Sequence, residues 1–219
     1  MEISLQMKYS IGFGIAALAF GLFAIFGLPP DREVKSLAIF LFKLLPFALA
    51  AIAIALFDPA VLGRLNGIKI LLIYACFGLF FFFYIPKLFF DVAFREASNT
   101  YYLTLIITPL MILCFTLVFR MGGGSTGNTL RVAFGSLTLM LSGLEDLMFL
   151  TLNPHAPGSR YNPIPEVWDW ASHMKVRLGH FPTKQEAFIF IAVHILIALF
   201  IAFYHFRWLE GLKEPLGLR

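Results

Sequence analysis

The polar residues of this chain that could do chemistry fall into two groups. Lys43, Glu145, Asp146 and His194 each sit inside a long apolar stretch. A titratable group in such a stretch is costly in hydrocarbon and reads as a functional site. Carboxylate and imidazole are the donors that zinc, iron and copper sites use. The second group is Glu166, Asp169, His173, Arg177 and His180, at steps of 3, 4, 4 and 3 in PEVWDWASHMKVRLGH. That spacing is one face of a helix. Asp169 and His173 are i, i+4 neighbours, so the carboxylate can fix the imidazole tautomer or share an ion with it. No HExxH, ExxH or HxxxH run is present to set two ligands on one helix face.

The elements that must position these residues are membrane spans. The chain has 219 residues, 59% hydrophobic, 16% aromatic and 14% charged, with mean hydropathy +0.82. Soluble domains carry about 25% charged residues, so the composition excludes one and places the chain in a lipid bilayer. Nucleic-acid binding is excluded too, because no basic cluster stands clear of the apolar segments. About 20 apolar residues cross the hydrocarbon core. Windows of that length give about six spans, near 9–28, 37–57, 68–85, 101–119, 128–152 and 185–207. The expected fold is therefore an all-α, polytopic transmembrane bundle forming one integral membrane domain over residues 1–219. The first span reads as retained, since Pro29-Pro30-Asp31 follows it rather than a small-residue cleavage site.

Six spans put both termini on one side of the membrane. The basic residues do not orient them: Lys8, Arg64, Lys69, Arg120, Arg131, Arg207, Lys213 and Arg219 on the terminal side balance Arg32, Lys35, Lys87, Arg95, Arg160, Lys175, Arg177 and Lys184 on the other. Cys76 and Cys114 lie in separate apolar stretches and form no framework. Gly14, Ala17 and Gly21 allow close approach of a second helix to the first span.

Connections are short except for 153–184, and a long ordered connection is usually functional. A short amphipathic interfacial helix is expected there from Pro165 to His180, lying as a lid over the bundle mouth, with Trp168 and Trp170 as interfacial anchors. Thr183-Lys-Gln-Glu186 reads as a capping box that starts the last span. Counting residues at 1.5 Å each, Lys43, Glu145, Asp146 and His194 all lie on the order of 10–15 Å below the side that carries this loop. Glu145 and Asp146 are adjacent and point about 100° apart, so only one can be a direct ligand along any one direction.

These residues predict an integral membrane enzyme with a metal-dependent site near one membrane face, acting on a hydrophobic or membrane-dissolved substrate. Glu145 and His194 would ligate a divalent or transition metal (iron, zinc or copper), and His173 or His180 would be brought down by the loop helix. Asp146 would be a ligand or a base, and Lys43 would balance carboxylate charge or bind an anionic group. Redox and hydrolytic chemistry both fit such a site. The blander alternative for Lys43 is an ion pair with Glu145 or Asp146 stitching two spans. Two other functions fit: a non-catalytic subunit of a larger membrane complex binding haem or pigment, and a small proton- or ion-coupled transporter.

Overall fold

The computed structural model describes residues 4–28, 36–62, 98–152, 157–158 and 160–203. The expected span at 68–85, with Cys76 inside it, lies outside the described residues. Within them the chain is all-helical, with seven α-helices: α1 (Leu5–Phe26), α2 (Leu37–Leu56), α3 (Ser98–Met121), α4 (Thr126–Met140), α5 (Leu144–Leu152), α6 (Ser172–Leu178) and α7 (Lys184–Phe203). A 3₁₀ turn at Pro59–Leu62 follows α2. Serine starts three of these helices. The Ser4, Ser36 and Ser125 hydroxyls accept from the amides of Met7, Ile39 and Asn128, satisfying donors the first turn leaves unpaired.

Helices α1, α2 and α7 are long and apolar enough to cross a membrane, and the bent pair α4–α5 passes the same test when taken together as one span. Large apolar side chains on them stay uncovered, including Ile15, Phe26, Leu196 and Phe203, which suits a surface facing lipid. Three to four such helices fit a multi-pass integral membrane protein; α3, expected as a span near 101–119, carries a shorter apolar helix at Ile106–Met121.

Packing of α1 on α2 follows the small residues. A Cβ on Gly14 would lie 3.9 Å from Ala53 Cβ, and one on Gly21 3.7 Å from Pro46 Cβ. Position rises along α1 as it falls along α2, so the pair is antiparallel. Ser10 Oγ donates to the Ala53 carbonyl at 2.7 Å across this close contact. One core cluster joins α2, α3 and α4 through Phe47, Ala51, Ile112, Ala133 and Leu137. A second joins α5, the long loop, α6 and α7 through Leu150, Trp168, Ala171, Met174, Ala187 and Ile191.

Two expectations change here. The fifth span, expected unbroken over 128–152, is broken between Met140 and Leu144, where its halves bend by 51°. The loop helix, expected over 165–180, covers only Ser172–Leu178. Upstream of it the backbone bonds to the far end of the loop: Trp168 N–H donates to the Pro182 carbonyl at 2.9 Å and Lys184 N–H to the Glu166 carbonyl at 2.8 Å. The reason is Trp168, which is fully buried in the second core and is no interfacial anchor. Burying an indole removes 150–250 Å² from water, worth roughly 4–6 kcal/mol at most. The helix propensity forgone is about 0.7 kcal/mol or less per residue.

Candidate functional site

The break in the fifth span builds the site. A kink inside a membrane frees backbone groups that lipid cannot satisfy, and this sequence satisfies them locally. Leu141 and Ser142 N–H still reach the carbonyls of Leu137 and Leu139, at 3.0 and 3.2 Å, and Leu147 N–H closes on Gly143 at 3.2 Å. The buried Ser142 hydroxyl accepts from Leu144 N–H at 3.0 Å and donates to the Leu139 carbonyl at 2.7 Å. The Leu141 carbonyl accepts from Arg177 Nη2 at 2.7 Å. Gly143 makes the turn with φ +80°, a conformation side chains rarely adopt.

Past this turn the first helical turn of α5 carries Glu145 and Asp146, which separate as the 100° step requires. The Glu145 side chain is exposed, whereas the Asp146 carboxyl turns inward and is only 15% exposed. Asp146 Oδ1 accepts from the Trp170 indole N–H at 3.1 Å. Its Oδ2 stands 3.8 Å from His173 Nε2, a buried atom with no hydrogen-bond partner among the described residues. That separation is too long for a hydrogen bond and short enough for one ligand atom to bridge the two groups. Burial, then the neighbouring Arg177 guanidinium, then His194, push the His173 imidazole down to about 4. It is therefore neutral at pH 7.

Arg177, at the end of α6, ties the surrounding elements together. Its Nε donates to the His173 carbonyl at 2.9 Å, its Nη1 to His194 Nε2 at 3.0 Å, and its Nη2 to Leu141 across the break. The guanidinium lies 4.4 Å from the centre of the Phe190 ring on α7 and 5.4 Å from that of Phe40 on α2. Burial lowers its pKa to about 10. His194 stacks on Phe190 and turns Nδ1 to the Phe190 carbonyl at 2.8 Å. Nδ1–H therefore donates there while Nε2 accepts from Arg177, so both ring nitrogens are occupied.

The structure thus gathers only part of the expected metal set. Asp146 and His173 come together. His194, expected as a direct ligand, is held by an arginine whose charge also repels a cation. Glu145, the other expected ligand, faces outward. His180 lies on the exposed rim, where its Nε2 pairs with Glu186 Oε1 at 3.1 Å. Among the described residues, no group of three or more His, Cys, Asp or Glu side chains could hold a metal ion. Lys43 is half-buried on α2 and forms no ion pair with Glu145 or Asp146. Asp169 stands before α6 rather than on it and pairs with Arg160 instead of His173.

The capping box forms as the spacing implies. Glu186 Oε2 accepts from Thr183 N–H at 2.8 Å, and Thr183 Oγ1 accepts from Glu186 N–H at 3.3 Å. Sequence reasoning missed Gly143 as the pivot, Trp170 as the partner of Asp146 and Arg177 as the central strap. The Ser142-Gly143 pair inside an apolar run was the available signal for the first of these; the other two are contacts across more than 20 residues of chain. Comparison with protein-family models, curated proteins and solved structures gives no match.

Proposed function

We propose that this protein is a multi-pass membrane enzyme, a bundle of about six spans with both termini on one side, that carries out acid–base chemistry on a membrane-dissolved substrate. Asp146 and His173 form the reacting pair. The observation that carries this reading is the 3.8 Å approach of Asp146 Oδ2 to the unpartnered, buried Nε2 of a neutral histidine. A neutral imidazole accepts a proton, and the adjacent carboxyl takes or returns it, which is the couple that general acid–base catalysis needs. The Trp170 indole holds Asp146 Oδ1 so that Oδ2 faces the histidine. Arg177 and Met174 hold α6 against the break, so the pair stays aligned. The expected metal becomes unnecessary to this chemistry, with His194 and His180 engaged elsewhere.

The test incubates the purified protein, in liposomes made from a total lipid extract, and follows every lipid species by mass spectrometry. The expected result is consumption of one species by the wild type and its loss in Asp146→Asn and His173→Gln. Unchanged lipids with wild type, or full turnover by Asp146→Asn, would sink the reading. Metal analysis after chelator-free purification is expected to fall well below one ion per chain; a stoichiometric ion lost in both variants would restore a metal-dependent mechanism.

One observation favours a second reading. Discontinuous membrane helices with polar groups at the break occur in transporters, and the 51° break between α4 and α5 is of that kind. Asp146 and His173 would then relay protons. Proton uptake by proteoliposomes driven by a solute gradient, abolished in Asp146→Asn, would replace the enzyme reading with this one.

A further inference from the structure

Arg177 is a half-buried cation whose hydrogen-bond partners among the described residues are all neutral. Its three hydrogen bonds go to two carbonyl oxygens and an imidazole nitrogen, and no carboxylate pairs with it among the described residues. Burial alone accounts for its lowered pKa, with no acidic neighbour opposing the effect. Arg120, buried on α3, differs: it also binds carbonyls, of Phe57 and Gly124, but has Asp58 near enough to act on its charge. A guanidinium carries five N–H donors, so two on Arg177 have no partner among the described residues.

A second unpaired cation lies on the same side. Phe40, whose ring meets the Arg177 guanidinium, precedes Lys43 by three residues on α2, which puts both on one helix face one turn apart. Phe47 continues that face into the core. Lys43 is half-buried and has no hydrogen bond or ion pair among the described residues. Two cations without a counter-charge among the described residues leave positive potential that an anion would neutralise. The surrounding apolar faces of α2 and α7 open to lipid, with Leu41 and Ile197 exposed.

We propose that Arg177 and Lys43 form a binding site for the anionic head group, phosphate or carboxylate, of a membrane amphiphile whose chain stays in the bilayer. This deepens the enzyme reading by naming its substrate class, and it rests on that reading only for the reaction. Arg177 supplies planar donors from the loop helix and Lys43 a mobile charge from α2. The head group then sits beside His173, whose backbone Arg177 already holds.

The experiment measures equilibrium binding of dodecyl phosphate, dodecanol and inorganic phosphate to the purified chain in dodecyl maltoside, alongside thermal unfolding. Dodecyl phosphate is expected to bind saturably and raise the unfolding temperature, while dodecanol and inorganic phosphate bind far more weakly. Lys43→Gln, which removes no hydrogen bond or ion pair among the described residues, should weaken dodecyl phosphate about tenfold, the loss of one charge-assisted hydrogen bond. Lys43→Arg should restore it. Equal binding of dodecanol, or unchanged affinity in Lys43→Gln, would overturn the proposal. Inorganic phosphate binding as tightly as dodecyl phosphate would overturn the amphiphile assignment. Binding is read without turnover, so intact binding with unchanged lipids fails only the catalytic reading.

Discussion

Replacing Gly143 by alanine tests the whole arrangement, because the added methyl meets the break, the loop helix and the Asp146–His173 pair at once. The backbone there has φ +80°, and the new Cβ would fall 2.0 Å from Met174 Cε, 3.3 Å from His173 Nε2 and 3.7 Å from Asp146 Oδ2. An L-residue in the left-handed region costs about 1–2 kcal/mol. Met174 is fully buried, so its methyl can leave only by repacking the core, and overpacking costs about 1–3 kcal/mol. Gly143→Ala should therefore lose about 2–5 kcal/mol, measured by reversible unfolding in detergent. The backbone and steric parts separate in a double-mutant cycle with Met174→Ala. Met174→Ala alone leaves a cavity and costs about 2–5 kcal/mol, but it also removes the atom that the new Cβ would strike. The double variant should be more stable than the sum of the singles by about 1–3 kcal/mol, the steric part. Gly143→Ala within about 0.5 kcal/mol of wild type, or strict additivity with Met174→Ala, would show that α6 does not pack into the break.

Other expectations follow from the same contacts. Arg177→Met keeps the stem and removes the head, orphaning the Leu141 carbonyl and His194 Nε2. At about 1–3 kcal/mol for each unpaired group, a loss of about 2 kcal/mol or more is expected by denaturant unfolding, and a smaller one would show that Arg177 is not the strap. Ser142→Ala, deleting the hydroxyl that caps Leu144, should cost about 1 kcal/mol in the same assay. The His173 pKa, about 4 when folded against an ordinary 6.5, makes the unfolded chain bind the extra proton. The His173 contribution to stability should thus be constant above pH 6.5 and fall as pH drops from 6.5 to 4, by up to about 3 kcal/mol. His173→Gln should remove that component from a pH series of unfolding temperatures; an identical slope in the variant would contradict a buried neutral histidine.

How much was legible in the sequence depended on how far apart the partners lie. The Thr183–Glu186 box forms as read because both residues belong to one helical turn. Gly14 and Gly21 were readable as a packing face because small side chains bring backbones together whatever the partner is, here Ala53 and Pro46. The grouping of titratable residues near the long loop was also legible, since depth in a span is a count of residues. Its internal order was not. Asp146 rather than Glu145 turns inward because the break at Gly143 resets the helix phase, and no periodicity carries across a break. Asp169 left His173 because the helix that would have aligned them starts after both tryptophans.

Composition and apolar run length by themselves determined a helical membrane protein, because hydrocarbon tolerates neither a dense charge nor an unbonded backbone. They also singled out the few charged residues that such a chain keeps within its apolar stretches. Tertiary structure alone decided which of those charges meet. Burial of Trp168 sets where the loop enters the core, and that entry places Arg177 against Leu141 and His173 against Asp146. Each of those contacts joins residues more than 20 apart in the chain, beyond the reach of any local pattern.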